Sequence, residues 1–311
     1  MFDRKDLLGL RDLTKEEILS ILETAKEMKG VIDDPSLRND TLKNTSIVTL
    51  FYENSTRTKV SFMMAGEYLG AKINDLGIST SSVSKGESLA DTGANLDQMG
   101  IDIMIIRHGM TGAAHLLSKN VKASVINAGD GTNEHPTQAL LDLFTIHERL
   151  GGFKDLKVAI LGDIAHSRVA RSNVFGLTKL GAKVILAGPS TLISNTMKSL
   201  GVEVTSHIAE AVNGADVVMG LRIQMERQKA AAFPNLREYS GLFGLNADLL
   251  KKYAKKDALV MHPGPVNRGV ELSTEIIDGR QSVIYVQVKN GVAVRMALLK
   301  LLANHKRGGV L

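Results

Sequence analysis

Short apolar runs alternate with helix-patterned stretches along almost the whole chain, and this rhythm most restricts what it can fold into. Strand-like runs fall at 46–52, 71–75, 102–107 and 124–128. Helical patterns separate them, near 56–69, 87–99 and 112–119, with apolar residues three or four apart. A second set follows, with strands at 157–161, 183–187, 203–206, 216–221 and 258–261 and helices near 167–180, 192–200, 208–213 and 246–254. Strands joined by crossover helices form parallel, doubly wound α/β sheets. Two such sets predict two α/β domains with a ligand cleft between them. The first is expected to take 1–135 plus 290–311, and the second 150–285. Residues 136–149 would form an interdomain helix, with Pro136 in its first turn and Gly151-Gly152 ending it. The stripe of Val294, Ala297, Leu298, Leu301 and Leu302 predicts a last helix over 291–305 that closes back onto the first domain.

The 311-residue length suits two domains, and 44% hydrophobic content supports a sizeable core. Cysteine is absent, which removes disulfides, thiolate nucleophiles and cysteine-ligated metal centres. The formal net charge is +5. The cations are spread out and not interleaved with aromatics, so nucleic acid is not the expected partner. The first residues carry acids and no apolar core, unlike a signal peptide. The longest apolar runs, near 102–106 and 283–288, are strand-sized, so no membrane span is expected.

Ligands of open parallel sheets bind at the carboxyl ends of strands, and six predicted strand ends carry unusual residues. Ser55, Thr56, Arg57 and Thr58 stand where the first strand hands over to a helix N-terminus. Outward N–H groups, the positive end of the helix dipole, three hydroxyls and a guanidinium there make a phosphate cradle. An ordinary N-cap uses the same hydroxyl residues. Arg107-His108 ends the third strand, and Gly129 to Gln138 follows the fourth, with His135 before Pro136. In the second set the ends lead to Gly162–Arg168, to Arg222 and Gln224, and to 262–269, His-Pro-Gly-Pro-Val-Asn-Arg-Gly. Singly, each has an ordinary reading as a surface cation, a loop histidine or a turn. Together they describe a site for a polyanion. The polar loop 79–87 is either plain surface or a lid that brings Ser81 and Lys85 to the ligand.

Several motifs are missing. No G-x-x-x-x-G-K-[ST] loop and no G-x-G-x-x-G after a strand occurs, which disfavours P-loop hydrolysis and nicotinamide or flavin binding. No metal-ligand cluster or catalytic triad is visible. No cofactor and no metal are therefore expected.

The segments STRT at 55–58, HPTQ at 135–138 and HPGPVNRGVEL at 262–272 resemble the transcarbamoylase family. SKGESLADT at 84–92, GDIAHSRVARSN at 162–173 and LRIQMER at 221–227 extend the likeness over nearly the whole chain and point to its aspartate branch. The resemblance implies carbamoyl transfer from carbamoyl phosphate to the α-amine of L-aspartate, an early step of pyrimidine biosynthesis. It implies that Ser55, Thr56, Arg57, Thr58 and Arg107 hold the phosphate. Thr58, Arg107 and His135 would donate to the carbamoyl oxygen. Gln138 and the carbonyls around Gly264 and Pro265 would take the carbamoyl NH2. Arg168, Arg222 and Gln224 would grip the aspartate carboxylates. Ser81 and Lys85 would come from a neighbouring subunit of a homotrimer. Glu53 and Arg227 would form an interdomain ion pair. Cytoplasmic location, and regulatory chains or a dihydroorotase as further partners, also belong to this expectation. Lys59 departs from the family pattern, in which arginine follows STRT, and little consequence is expected one residue beyond the cradle.

Overall fold

The computed structural model describes residues 2–77, 86–193, 195–223, 235–306 and 308. The chain divides into two compact units, Met1–Phe144 with Val288–Leu311, and Thr145–Gln287. The C-terminal segment thus belongs to the first unit.

The first unit holds a four-stranded sheet of β1 (Ser46–Phe51), β2 (Lys72–Leu76), β3 (Ile103–His108) and β4 (Ser124–Asp130). All pairings are parallel and the order is β2-β1-β3-β4. The chain leaves β1 toward β2, then returns to build β3 and β4 on the other side. The sheet therefore has a switch point between β1 and β3. Val48, Leu50, Met104 and Ile106 bury one face against Ala113, Ala114 and Leu117 of helix α4 (Ala113–Asn120).

Helix α1 (Lys15–Asp33) opens with a complete capping box. Thr14 Oγ1 accepts from the Glu17 N–H, and the Glu17 carboxylate accepts from the Thr14 N–H. Helix α2 (Thr56–Tyr68) follows β1, and α3 (Leu89–Gln98) precedes β3. Residues before α1 cover the outer edge of β4: the Leu7 N–H donates to Val125 O and Leu7 O accepts from Asn127 N–H, both at 2.9 Å.

The second unit holds β5 (Lys157–Leu161), β6 (Lys183–Ala187), β7 (Glu203–Thr205), β8 (Val217–Gly220) and β9 (Leu259–Met261). They form a parallel sheet in the order β7-β6-β5-β8-β9. Its switch point lies between β5 and β8. Ala159, Leu161, Ile185, Val218 and Val260 pack with Ile208, Ala211 and Val212 of α7 (Ile208–Val212) and with Leu250 of α9 (Ala247–Tyr253). Helix α6 (Arg168–Lys179) joins β5 to β6, α8 (Leu236–Phe243) precedes α9, and α10 (Thr274–Ile277) follows β9.

Two helices carry the chain across the division between units: α5 (Pro136–Leu150) and α11 (Ile284–Lys306). The apolar run at 283–288 thus opens a helix that starts seven residues before the expected 291. Gln287 and Asn290, both buried, interrupt the apolar stripe and hide its first turns from a periodicity reading.

Candidate active site

Parallel strands place all their carboxyl ends on one edge of a sheet. In the first unit β1 and β3 are neighbours, with Phe51 paired to Arg107, and the Tyr52 N–H donates to Arg107 O at 2.8 Å. The Ser55–Thr58 turn and Arg107 therefore flank the switch point. β4, beside β3, leads through a tight turn to His135, Pro136 and Gln138 at the start of α5. This sheet edge gathers Ser55, Thr56, Arg57, Thr58, Arg107, His135 and Gln138.

Local chemistry explains each placement. Ser55 occupies the N-cap of α2, yet its side chain makes no capping bond. The ordinary capping role is not taken up, and the hydroxyl stays available at a helix N-terminus. Thr56 and Arg57 are exposed, whereas Thr58 is buried. Lys59 turns away to Asp75 on β2, with Nζ 2.7 Å from Oδ2. Asp75 also accepts from Thr49 Oγ1 at 2.6 Å. Burial would raise the Asp75 carboxyl, but its bonds from Lys59 and Thr49 hold it below the usual carboxylate range. The departure from the family pattern thus serves the sheet rather than the cradle.

Arg107 is half-buried, with Nε 3.3 Å from Glu53 Oε2 and Nη1 3.5 Å from Ala128 O. The next residue, His108, packs on Tyr52 with the rings tilted by 48° and their centroids 4.5 Å apart. Its Nδ1 accepts from the Met110 N–H at 2.9 Å. Burial pushes the imidazole below its ordinary range, opposed by the charges of Glu53 and Asp130.

The turn into α5 is fixed by buried carboxylates. Asp130 accepts from the Gly112 N–H, Asn127 Nδ2 and the Glu134 N–H. Glu134 accepts from the Leu10 N–H at 2.7 Å and the Arg11 N–H at 3.3 Å. Gly131 has φ +48°, and a Cβ there would sit 2.4 Å from Thr111 Oγ1, so glycine is needed for this turn. His135, buried, accepts the Gln138 and Ala139 N–H groups on its backbone oxygen. Gln138 Nε2 donates to Asp142 Oδ1 at 2.9 Å.

In the second unit the switch point between β5 and β8 carries Arg168 and Arg222. Gly162 follows β5 with φ +130°, and a Cβ there would lie 2.9 Å from Leu221 O. The glycine therefore allows the two strand ends to meet. Arg168 is buried as the first residue of α6, whose N-cap Ser167 accepts from the Ala170 N–H at 3.1 Å. Arg222 is half-buried just past β8. Beyond β9, Gly264 has φ +66° and the Gly264–Pro265 peptide is cis. The Gly264 N–H donates to His262 Nδ1 at 2.8 Å, and His262 Nε2 lies 3.1 Å from Glu271 Oε1. An acceptor at Nδ1 places the imidazole proton on Nε2, facing the carboxylate. Glu271 Oε1 also accepts from the Asn267 N–H at 2.8 Å. The sequence singled out 262–269 as a strand end and 262–272 as a motif, but gave no signal that His262 pairs with Glu271, nine residues on.

Ser81, Lys85 and Gln224 lie outside the described residues, as does Arg227. Glu53, whose expected partner Arg227 is outside the described residues, forms an ion pair with Arg107 in its own unit.

Residues 5–148 match the family described as aspartate/ornithine carbamoyltransferase, carbamoyl-P binding domain. Residues 154–302 match its partner family, the Asp/Orn binding domain. The chain belongs to the aspartate/ornithine carbamoyltransferase family. Among the relatives of this carbamoyltransferase chain is the aspartate carbamoyltransferase catalytic subunit of Ruminiclostridium cellulolyticum. It is 62% identical over 298 residues, covering 96% of this chain and 95% of that protein. The protein of the same name from Acetivibrio thermocellus is 60% identical, covering 98% and 97%. Among solved structures, the Trypanosoma cruzi aspartate transcarbamoylase in complex with carbamoyl aspartate and phosphate superposes with a TM-score of 0.86. That match has 29% identity and covers 96% of each chain. The ornithine carbamoyltransferase of Pyrococcus furiosus gives 0.85 at 33% identity, over 95% of this chain and 96% of that one.

Proposed function

We infer that the chain is an aspartate carbamoyltransferase, which moves the carbamoyl group of carbamoyl phosphate onto the α-amine of L-aspartate. The observation that carries this reading is full-length identity of 62% and 60% to aspartate carbamoyltransferase catalytic subunits. A crystal structure of a relative of the same fold in complex with carbamoyl aspartate and phosphate adds support.

The geometry suits the chemistry. The phosphate lies on the N-terminus of α2, between Ser55, Thr56, Arg57, Thr58 and Arg107. There, helix N–H groups and two guanidinium groups neutralise it. The neutral aspartate amine attacks the carbamoyl carbon, and negative charge builds on the carbonyl oxygen. Thr58, Arg107 and His135 donate to that oxygen, where preorganised donors lower the barrier most. The C–N bond forms, the bond to the phosphate oxygen breaks, and the departing phosphate takes the amine proton. Gln138 and the carbonyls around Gly264 and Pro265 hold the carbamoyl NH2. Arg168, Arg222 and Gln224 bind the two aspartate carboxylates; an ammonium-bearing acceptor such as ornithine meets repulsion there. Ser81 and Lys85 complete the phosphate site from a neighbouring subunit of a homotrimer. The reaction belongs to pyrimidine biosynthesis, in the cytoplasm.

The test offers the purified chain carbamoyl phosphate with aspartate, ornithine or putrescine and identifies the ureido product. Carbamoyl aspartate is expected. Preferential citrulline formation overturns the choice of acceptor. Tight carbamoyl phosphate binding with no product from any acceptor overturns the enzymatic reading in favour of a phosphate-binding module.

A further inference from the structure

We propose that Asp142 is a positioning residue that sets which end of the Gln138 amide faces the carbamoyl group. This rests on the reading that Gln138 accepts from the carbamoyl NH2. Gln138 and Asp142 stand four residues apart on α5, so their side chains share one face of the helix. Gln138 Nε2 donates to Asp142 Oδ1 at 2.9 Å. Gln138 is 8% exposed and Asp142 is fully buried. An ionised carboxylate only accepts, so it draws the amide NH2 to itself. The amide oxygen is thereby turned away from Asp142, as an acceptor for a donor arriving at the sheet edge.

Asp142 is costly in this place. Its neighbours on α5 include Leu140, Leu141, Leu143 and Phe144, all buried. A carboxylate there loses its hydration, and an apolar residue would pack at lower cost. An opposite charge that feels the Asp142 carboxylate is Arg295 on α11, itself 3% exposed. Its Nη1 donates to Gly291 O at 2.9 Å and its Nη2 to Thr137 Oγ1 at 3.4 Å, and the guanidinium lies 5.0 Å from the Phe62 ring centre. Burial lowers the Arg295 guanidinium to about 10, with the Asp142 charge acting against that fall. The guanidinium remains protonated at neutral pH. A buried charge pair is weak as a source of stability but specific in orientation. Here the group being oriented is a site amide whose two ends have opposite hydrogen-bonding character.

The distinguishing substrate is acetyl phosphate, which has the same carbonyl and phosphate but a methyl in place of the NH2. It cannot use an acceptor at Gln138. The aspartate-dependent release of phosphate from each substrate is measured for the wild type, Gln138→Leu, Asp142→Asn, and Asp142→Asn with Arg295→Met. The double variant removes both buried charges, so neither is left unpaired should the single variant fail to fold. An asparagine at 142 accepts as well as donates, so it no longer dictates the Gln138 orientation. We expect the kcat/KM for carbamoyl phosphate to fall about 10- to 100-fold in either 142 variant. That for acetyl phosphate should change less than about threefold.

Equal losses on both substrates, or an unchanged preference, overturn the proposal. If Gln138→Leu itself keeps the carbamoyl preference, the failure lies in the role of Gln138 and not in Asp142. One measurement needs no change at 142. In wild-type protein the Gln138 side-chain NH2, assigned by its loss in Gln138→Leu, should exchange slowly with deuterium with and without carbamoyl phosphate. Fast exchange in both states overturns the proposal as well.

Discussion

Arg107 Nε lies 3.3 Å from Glu53 Oε2, so the guanidinium at the end of β3 is held by a carboxylate from the connection after β1. Nη1 reaches toward Ala128 O on β4 at 3.5 Å. The planar fork thus ties together the ends of three adjacent strands. A lysine offers one compact ammonium and cannot hold Glu53, Ala128 and a phosphate at once. Arg107→Ala is expected to lower kcat by about two to three orders of magnitude. Arg107→Lys should recover only a small part of that loss. Steady-state kinetics with both substrates at saturation provide the check.

Arg57 is exposed in the first turn of α2, so its removal disturbs little packing. Arg57→Ala should lower kcat by about two to three orders of magnitude, with thermal unfolding nearly unchanged. Near-normal turnover would remove Arg57 from the phosphate site.

Arg222 follows β8 in the second unit, away in sequence from the phosphate cradle. Arg222→Ala should raise the KM for aspartate about 10- to 100-fold, with the KM for carbamoyl phosphate little changed. A parallel rise in both constants would argue that Arg222 holds the fold and not the acceptor.

Glu134, buried beside His135, satisfies the N–H groups of Leu10 and Arg11. A Cβ on Gly9 would sit within 2.2 Å of Glu134 Oε1, so the segment before α1 lies directly on this carboxylate. Glu134→Ala should destabilise the protein by about 1–3 kcal/mol per donor left unsatisfied, read by urea unfolding. Glu134→Gln keeps one acceptor oxygen and should cost less.

His108 is held neutral by burial and accepts from the Met110 N–H. Its folded pKa lies below the unfolded value, so at acid pH the unfolded chain binds a proton that the folded chain refuses. Its contribution is intact at neutral pH and declines as pH drops below about 6.5, the ordinary histidine value. His108→Asn should flatten the fall in melting temperature between pH 7 and 5.5. An unchanged slope would assign the acid sensitivity to other groups.

How much of the molecule was legible depends on how local each signal is. The strands, the α1 capping box and the polar clusters at strand ends were readable because each is written in a few consecutive residues. Helix α8 was not read. Ser240 and Gly241 weaken its pattern, and Tyr239 is its one buried residue. The early turns of α11 were hidden because Gln287 and Asn290 are polar yet buried. Gln287 is buried for a tertiary reason: its Oε1 accepts from the His262 N–H at 3.0 Å.

The sequence alone determined that the chain alternates strands and helices, that hydroxyl and cationic residues cluster at the strand ends, and which family's motifs it carries. These properties follow from local spacing and residue chemistry. The tertiary structure decided the strand orders β2-β1-β3-β4 and β7-β6-β5-β8-β9, and so put Arg107 beside the Ser55–Thr58 turn and Arg222 beside the strand leading to Arg168. It also decided that Glu53 bonds to Arg107, that Lys59 bonds to Asp75, and that Gln138 turns its NH2 to Asp142. The side of a sheet on which a crossover lands depends on contacts between distant segments, and the partner of a buried polar group depends on what packs against it. Neither is encoded in any short stretch of residues.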